Sequence, residues 1–160
     1  MKKKAEKKPE SDVKIIATNR KARRDYEILQ TVEAGLSLLG SEVKSLRAGK
    51  ANLKDAYAIP KGNEIFLFNM HISPYDKTGY SGHEPERQRK LLLHAREINK
   101  LIGMVDEKGM TLIPLRLYFR GKYAKVELGV CRGKRAHDKR ATIIERETKR
   151  DMEREMKRRQ

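Results

Sequence analysis

Glu33 stands on the polar side of an alternating apolar segment, "YEILQTVEAGL", in a strongly basic chain. A carboxylate so placed accepts hydrogen bonds from the amino group of a base edge, and it equally suits a surface ion pair with Lys or Arg. In "ERQRKLLLHAREINK", Arg87, Arg89 and Lys90 precede three leucines. There the cations suit phosphates while Leu92 and His94 suit an unpaired base; a helix with a cationic face and buried leucines fits the same letters. Arg20, Lys21, Arg23 and Arg24 form a second cationic group, expected to line one groove with Lys44, Arg47 and Lys50. A third lies in "CRGKRAHDKR", where cationic neighbours Arg135 and Lys139 favour a neutral His137 ring able to stack on a base. A surface histidine without a role is the plainer reading of that residue.

This is recognition chemistry. No G-x-S-x-G, no G-x-x-x-x-G-K and no carboxylate cluster at metal-binding spacing occurs, so no catalytic residue is assigned. A nuclease built on Glu33 and a divalent ion would need a second carboxylate for which the sequence offers no evident candidate. Cys131 is the only cysteine, which excludes an internal disulfide, and His71, His83, His94 and His137 miss zinc-ligand spacing. Neither a metal nor a cofactor is expected.

Charge narrows the partner. Lys and Arg number 38 against 22 Asp and Glu, a net charge of +16 on 160 residues, and such a chain repels itself until a polyanion neutralises it. Membranes are anionic too, but no apolar run of about 18 residues exists, and "MKKKAEKKPE" is not followed by the apolar stretch of a signal peptide. The expectation is a soluble, cytoplasmic, monomeric protein that binds nucleic acid and no membrane.

The elements that must position these residues read as mainly β. Tyr26, Ile28, Val32, Ala34, Leu36 and Leu38 alternate with polar residues and predict a long half-buried strand. In "GSEVKSLRAGK", Ser41 reads as an N-cap, Glu42 complements the positive helix end and Gly49 stops a helix of about two turns. "LKDAYAI" and "EIFLFNMHI" flank the turn signal "PKGN" as a hairpin. Glu86 to about Val105 is expected to be one helix, interrupted near His94. "TLIPLRLYF" and "YAKVELGV" predict a second hairpin through Arg120, Gly121 and Lys122.

That order suits an OB-fold-like small antiparallel β-barrel of five strands, with about three helices and a basic C-terminal tail. Residues 1–18 are expected to be a flexible basic arm, 19–131 the RNA-binding domain and 132–160 a basic C-terminal tail. The tail holds too few apolar residues for a core, and pairs such as Glu145 with Lys149 give only a marginal helix in isolation. It must be solvated or bound to a partner.

Ordered blocks from Asn19 to Arg140 then resemble one family. "NRKARRDYEI", "VEAGLSLLGSEVKSLRAGKANLKDAY", "RKLLLHAREI", "LIPLRLYF", "KVELGVCRGK" and "HDKR" are similar to the SmpB (small protein B) family. The resemblance implies a non-catalytic RNA-binding protein of trans-translation, which binds the tRNA-like domain of transfer-messenger RNA and delivers it to stalled ribosomes. It implies RNA contacts by Glu33, Leu92 and His94. It further implies that Gly133, Lys134, Arg135, His137, Asp138, Lys139 and Arg140 begin a tail, disordered when free and helical when bound, for the small-subunit decoding region and empty mRNA channel, with Asp138 suited to cap its helix. Arg24 departs from the family pattern, which often has histidine there. A ribosome-associated nonspecific RNA-binding protein or RNA chaperone is the alternative that charge alone supports.

Overall fold

The computed structural model describes residues 13–77, 82–106 and 109–158, and the side chains of residues 136 and 137 lie outside that description. In chain order the elements are β1 (Val13–Thr18), α1 (Arg20–Asp25), β2 (Tyr26–Leu36), α2 (Gly40–Arg47), β3 (Ala51–Asn52), β4 (Tyr57–Lys61), β5 (Glu64–Phe68), β6 (His71–Ile72), β7 (Arg89–Leu92), α3 (Ala95–Val105), β8 (Met110–Arg120), β9 (Tyr123–Gly133) and α4 (Ala136–Arg158). The architecture is mixed but strand-rich. A seven-stranded antiparallel sheet has the order β1-β8-β4-β5-β7-β2-β9, and a further β8–β9 pairing closes a ring of hydrogen bonds. A small second sheet joins β3 to β6.

Both expected hairpins are present. Lys61 pairs with Glu64 and Arg120 with Tyr123, leaving two-residue turns that begin at Gly62 (φ +60°) and Gly121 (φ +59°). A side chain resists that left-handed conformation and glycine does not. Inside the ring, Leu46, Ile65, Leu67, Leu91, Leu112, Leu117, Val126 and Leu128 are fully buried and share one core.

The alternation along β2 does not keep to one side. Ile28 pairs with Cys131 while Gln30 pairs with Val130, so a bulge adds one residue between them and reverses which face the later residues present. Val32, Ala34 and Leu36 therefore enter the main core, whereas Tyr26 and Ile28 join Ala22, Ile113, Leu115 and Cys131 in a second cluster that includes α1.

Several expectations need correction. Residues 13–18, assigned to the mobile arm, form β1 and pair with β8 from Thr18↔Arg116 to Val13↔Arg120; backbone hydrogen bonding holds a segment whose side chains carry little periodicity. Residues 1–12 lie outside the described part. The single helix from Glu86 is instead β7 followed by α3, because Leu91 points into the core while Lys90 and Leu92 point out, and β7 bridges β5 to β2. Ser41 is not the cap of α2: Leu39 holds that position, and Glu42 Oε2 accepts its N–H at 2.8 Å. Among the described residues there are four helices including α4 in the tail; α1, for which no element was expected, is a short one capped by Asn19, whose Oδ1 accepts the Ala22 N–H at 3.1 Å. Among the described residues no helix is long and apolar enough to cross a membrane.

Candidate nucleic-acid interface

Glu33 faces outward on β2, and register places it opposite Glu127 of β9. Two carboxylates in that relation repel, so each has its own cation: Arg116 Nε lies 2.5 Å from Glu127, and Arg120 Nη1 lies 3.0 and 2.9 Å from the two Glu33 oxygens. Tyr118 also donates its hydroxyl to Glu33. Burial, followed by that hydrogen bond and the nearby negative charge, pushes the Tyr118 phenol up to about 12. The surface ion pair is therefore real, yet the Glu33 side chain keeps 32% of its exposure and remains open to a further donor.

The same carboxylate lines a shallow depression of about 500 Å³ with Leu92, Leu93, His94, Glu97 and Lys125. Ring closure brings them together. Gly35 pairs with both Lys125 and Leu92, and a Cβ on Gly35 would meet Leu92 Cβ at 3.2 Å. Leu92 stays 52% exposed, an apolar platform beside the carboxylate. His94 caps α3, its N–H donated to Glu97 Oε2 at 3.0 Å. Lys125, Arg120 and Tyr118 were not singled out in the sequence. Their signal was their outward alternation on β8 and β9, legible only once β9 is known to pair with β2.

Of the other expected contacts, Lys90 is exposed next to Leu92's strand neighbour and pairs with Glu64. Arg89 is a correction. It is fully buried, its guanidinium donating to Glu42 Oε1 at 2.8 Å and to the carbonyls of Met70, Arg87 and Pro85. No phosphate reaches it there. Arg87 shares Glu42 at 2.6 Å. Burial works against the Glu42 charge, but hydrogen bonds from Arg87, the Leu39 N–H and Arg89, with the Arg89 charge, hold its carboxyl below the usual range.

The second cationic group divides. Arg20, Lys21 and Arg24 line a groove of about 460 Å³ between α1 and α4, with Lys54, Ile143, Arg146, Glu147 and Arg150. Arg23 is exposed on the same short helix, and its carbonyl accepts from Arg146 Nη2 at 3.4 Å. Lys44 and Arg47 are exposed on α2 and do not line that groove, contrary to expectation; Lys44 Nζ lies over the Tyr75 ring instead.

The tail residues follow β9 directly. Gly133 closes the strand, and the Lys134 N–H donates to Asp25 O at 3.0 Å. Arg135, Asp138 and Arg140 are exposed and Lys139 is half-buried. Helix α4 opens before Asp138, which therefore lies in the first turn rather than at the cap; a negative charge there still faces the positive helix end. The His137 side chain lies outside the described residues.

A closed, basic sheet carrying one half-open carboxylate beside a leucine, a histidine and a lysine presents the surface of an RNA-binding protein. The family model described as "SmpB protein" matches residues 16–158, and the chain belongs to the SmpB family. It is 56% identical over 146 residues to the SsrA-binding protein of Gloeothece citriformis (strain PCC 7424), covering 91% of this chain and 94% of that one. The SsrA-binding protein of Geobacillus thermodenitrificans (strain NG80-2) is 53% identical over 152 residues, at 95% and 98% coverage. A solved chain described as "tmRNA-SmpB: a journey to the center of the bacterial ribosome" superposes with a TM-score of 0.65 at 49% identity, over 79% of this chain and 92% of that one. Membership makes this a binding protein of RNA and not an enzyme.

Proposed function

We propose that this chain is an SsrA-binding protein of trans-translation: it binds transfer-messenger RNA through the tRNA-like domain and carries it to stalled ribosomes. The observation that carries this reading is the meeting of Glu33, Leu92, His94 and Lys125 in one outward depression. A carboxylate takes an amino group from a base edge, an exposed leucine and a ring pack against an unpaired base, and a lysine neutralises the adjoining phosphate. The closed ring of strands serves as an OB-fold-like barrel that holds these groups rigid.

The tail has a separate duty. From Ile143 to Arg158 every described residue is exposed, so α4 gains little from packing and is marginal on its own. In this reading Gly133, Lys134, Arg135, His137, Asp138, Lys139 and Arg140 lead a tail whose marginal helix is stabilised in the decoding region and runs along the vacant mRNA channel. The protein acts as a soluble cytoplasmic monomer.

Substituting Glu33→Ala should weaken binding of the isolated tRNA-like domain by about tenfold to a hundredfold, the worth of one good base-edge contact. Titration of fluorescent RNA into wild-type and variant protein measures this directly. Equal affinities would remove Glu33 from the interface.

A further inference from the structure

We infer that the cleft between α1 and α4 is a composite RNA-backbone site, with the body forming one wall and the tail the other. Body residues Arg20, Lys21, Arg24 and Lys54 face tail residues Arg146, Glu147 and Arg150 across a space of about 460 Å³, floored in part by Ile143. Lys21 is matched by Asp55 at 2.9 Å and Arg24 by Asp25 at 2.9 Å. Arg20, Lys54 and Arg150 have no ion-pair partner among the described residues, and Arg146 reaches only the Arg23 carbonyl. Six cations line the cleft against one carboxylate, Glu147, so the excess positive charge of the two walls is mutually repulsive.

What would hold them is a row of phosphates. Phosphodiesters are spaced along a flexible strand, carry one negative charge each and accept from guanidinium and ammonium alike. Filling the cleft with such a strand converts repulsion between the walls into attraction and fixes the direction in which the tail leaves the body. This inference rests on the RNA-binding reading, but it concerns a strand other than the one at Glu33, since the two surfaces share no lining residue.

The test places a photocrosslinking side chain at Ile143 in the full chain and irradiates it with a labelled mixed-sequence oligoribonucleotide, whose total binding is followed by anisotropy. An RNA adduct is expected at Ile143. Its yield should fall about tenfold in Arg20→Ala/Lys54→Ala and equally in Arg146→Ala/Arg150→Ala, since each pair removes two phosphate contacts. RNA that binds without forming an adduct, or an adduct that ignores the body pair, overturns the composite site. Loss of selectivity for the tRNA-like domain would instead strike the functional reading and leave the cleft standing, while absence of any RNA binding would end both.

Discussion

Glu42→Ala should destabilise the fold by about 3–5 kcal/mol, the cost of leaving a buried charge without its partner. Glu42 and Arg89 are both fully buried, and the carboxylate also receives Arg87 and the N–H of Leu39, the cap of α2. Its removal strands Arg89 in the core. An apolar replacement of Arg89 would not restore balance, because the Met70, Arg87 and Pro85 carbonyls would lose their donor. Denaturant melts of the wild type and the variant measure the difference, and a loss below about 1 kcal/mol would show that the network is not a keystone of the fold.

The same carboxylate sets an acid limit. Its folded proton affinity is lowered below the ordinary value of 4.5, so the unfolded chain binds the proton more readily. The contribution of Glu42 is complete above pH 4.5 and is lost as pH falls through the lowered folded value. Stability of the wild type should therefore decline on acidification in that window, and the Glu42→Ala variant should show a shallower decline.

Ending the chain at Lys134 should abolish rescue of stalled ribosomes while leaving affinity for the isolated tRNA-like domain within about threefold of the full chain. The cut keeps all of β9, including the Tyr26↔Gly133 pairing and the bond from Lys134 to Asp25. Every residue lining the Glu33 depression precedes it. A reconstituted translation assay on a message without a stop codon reads rescue, and RNA titration reads affinity. Loss of most RNA affinity on truncation would mean that body and tail share one binding surface for that domain.

The long strands and both hairpins were legible because alternation and turn glycines are local signals. β7 was not: three adjacent leucines suit a helix or a strand, and the deciding fact is the open edge between β5 and β2, which lies elsewhere in the chain. Arg89 misled for a related reason. Charge in a sequence carries no mark of burial, and its partner Glu42 is 47 residues away. Glu33, Leu92 and His94 were singled out by residue type and spacing and weighted by family likeness, whereas Lys125, Tyr118 and Arg120 reach the surface around Glu33 only through the register of β2, β8 and β9. The bulge at Ile28–Gln30 was equally hidden, since an uninterrupted alternation gives no notice that one face becomes two.

The central claim is selective recognition of one RNA fold, and competition tests it most directly. The full chain would be bound to the labelled tRNA-like domain of transfer-messenger RNA and challenged with unlabelled domain or an unrelated hairpin of equal length, across a range of salt. The account predicts that the unrelated hairpin competes at least tenfold less well, about 1.4 kcal/mol, and that this ratio persists as salt rises. Equal competition that fades for both RNAs with salt would contradict it, leaving a chain with a charge of +16 that binds any polyanion.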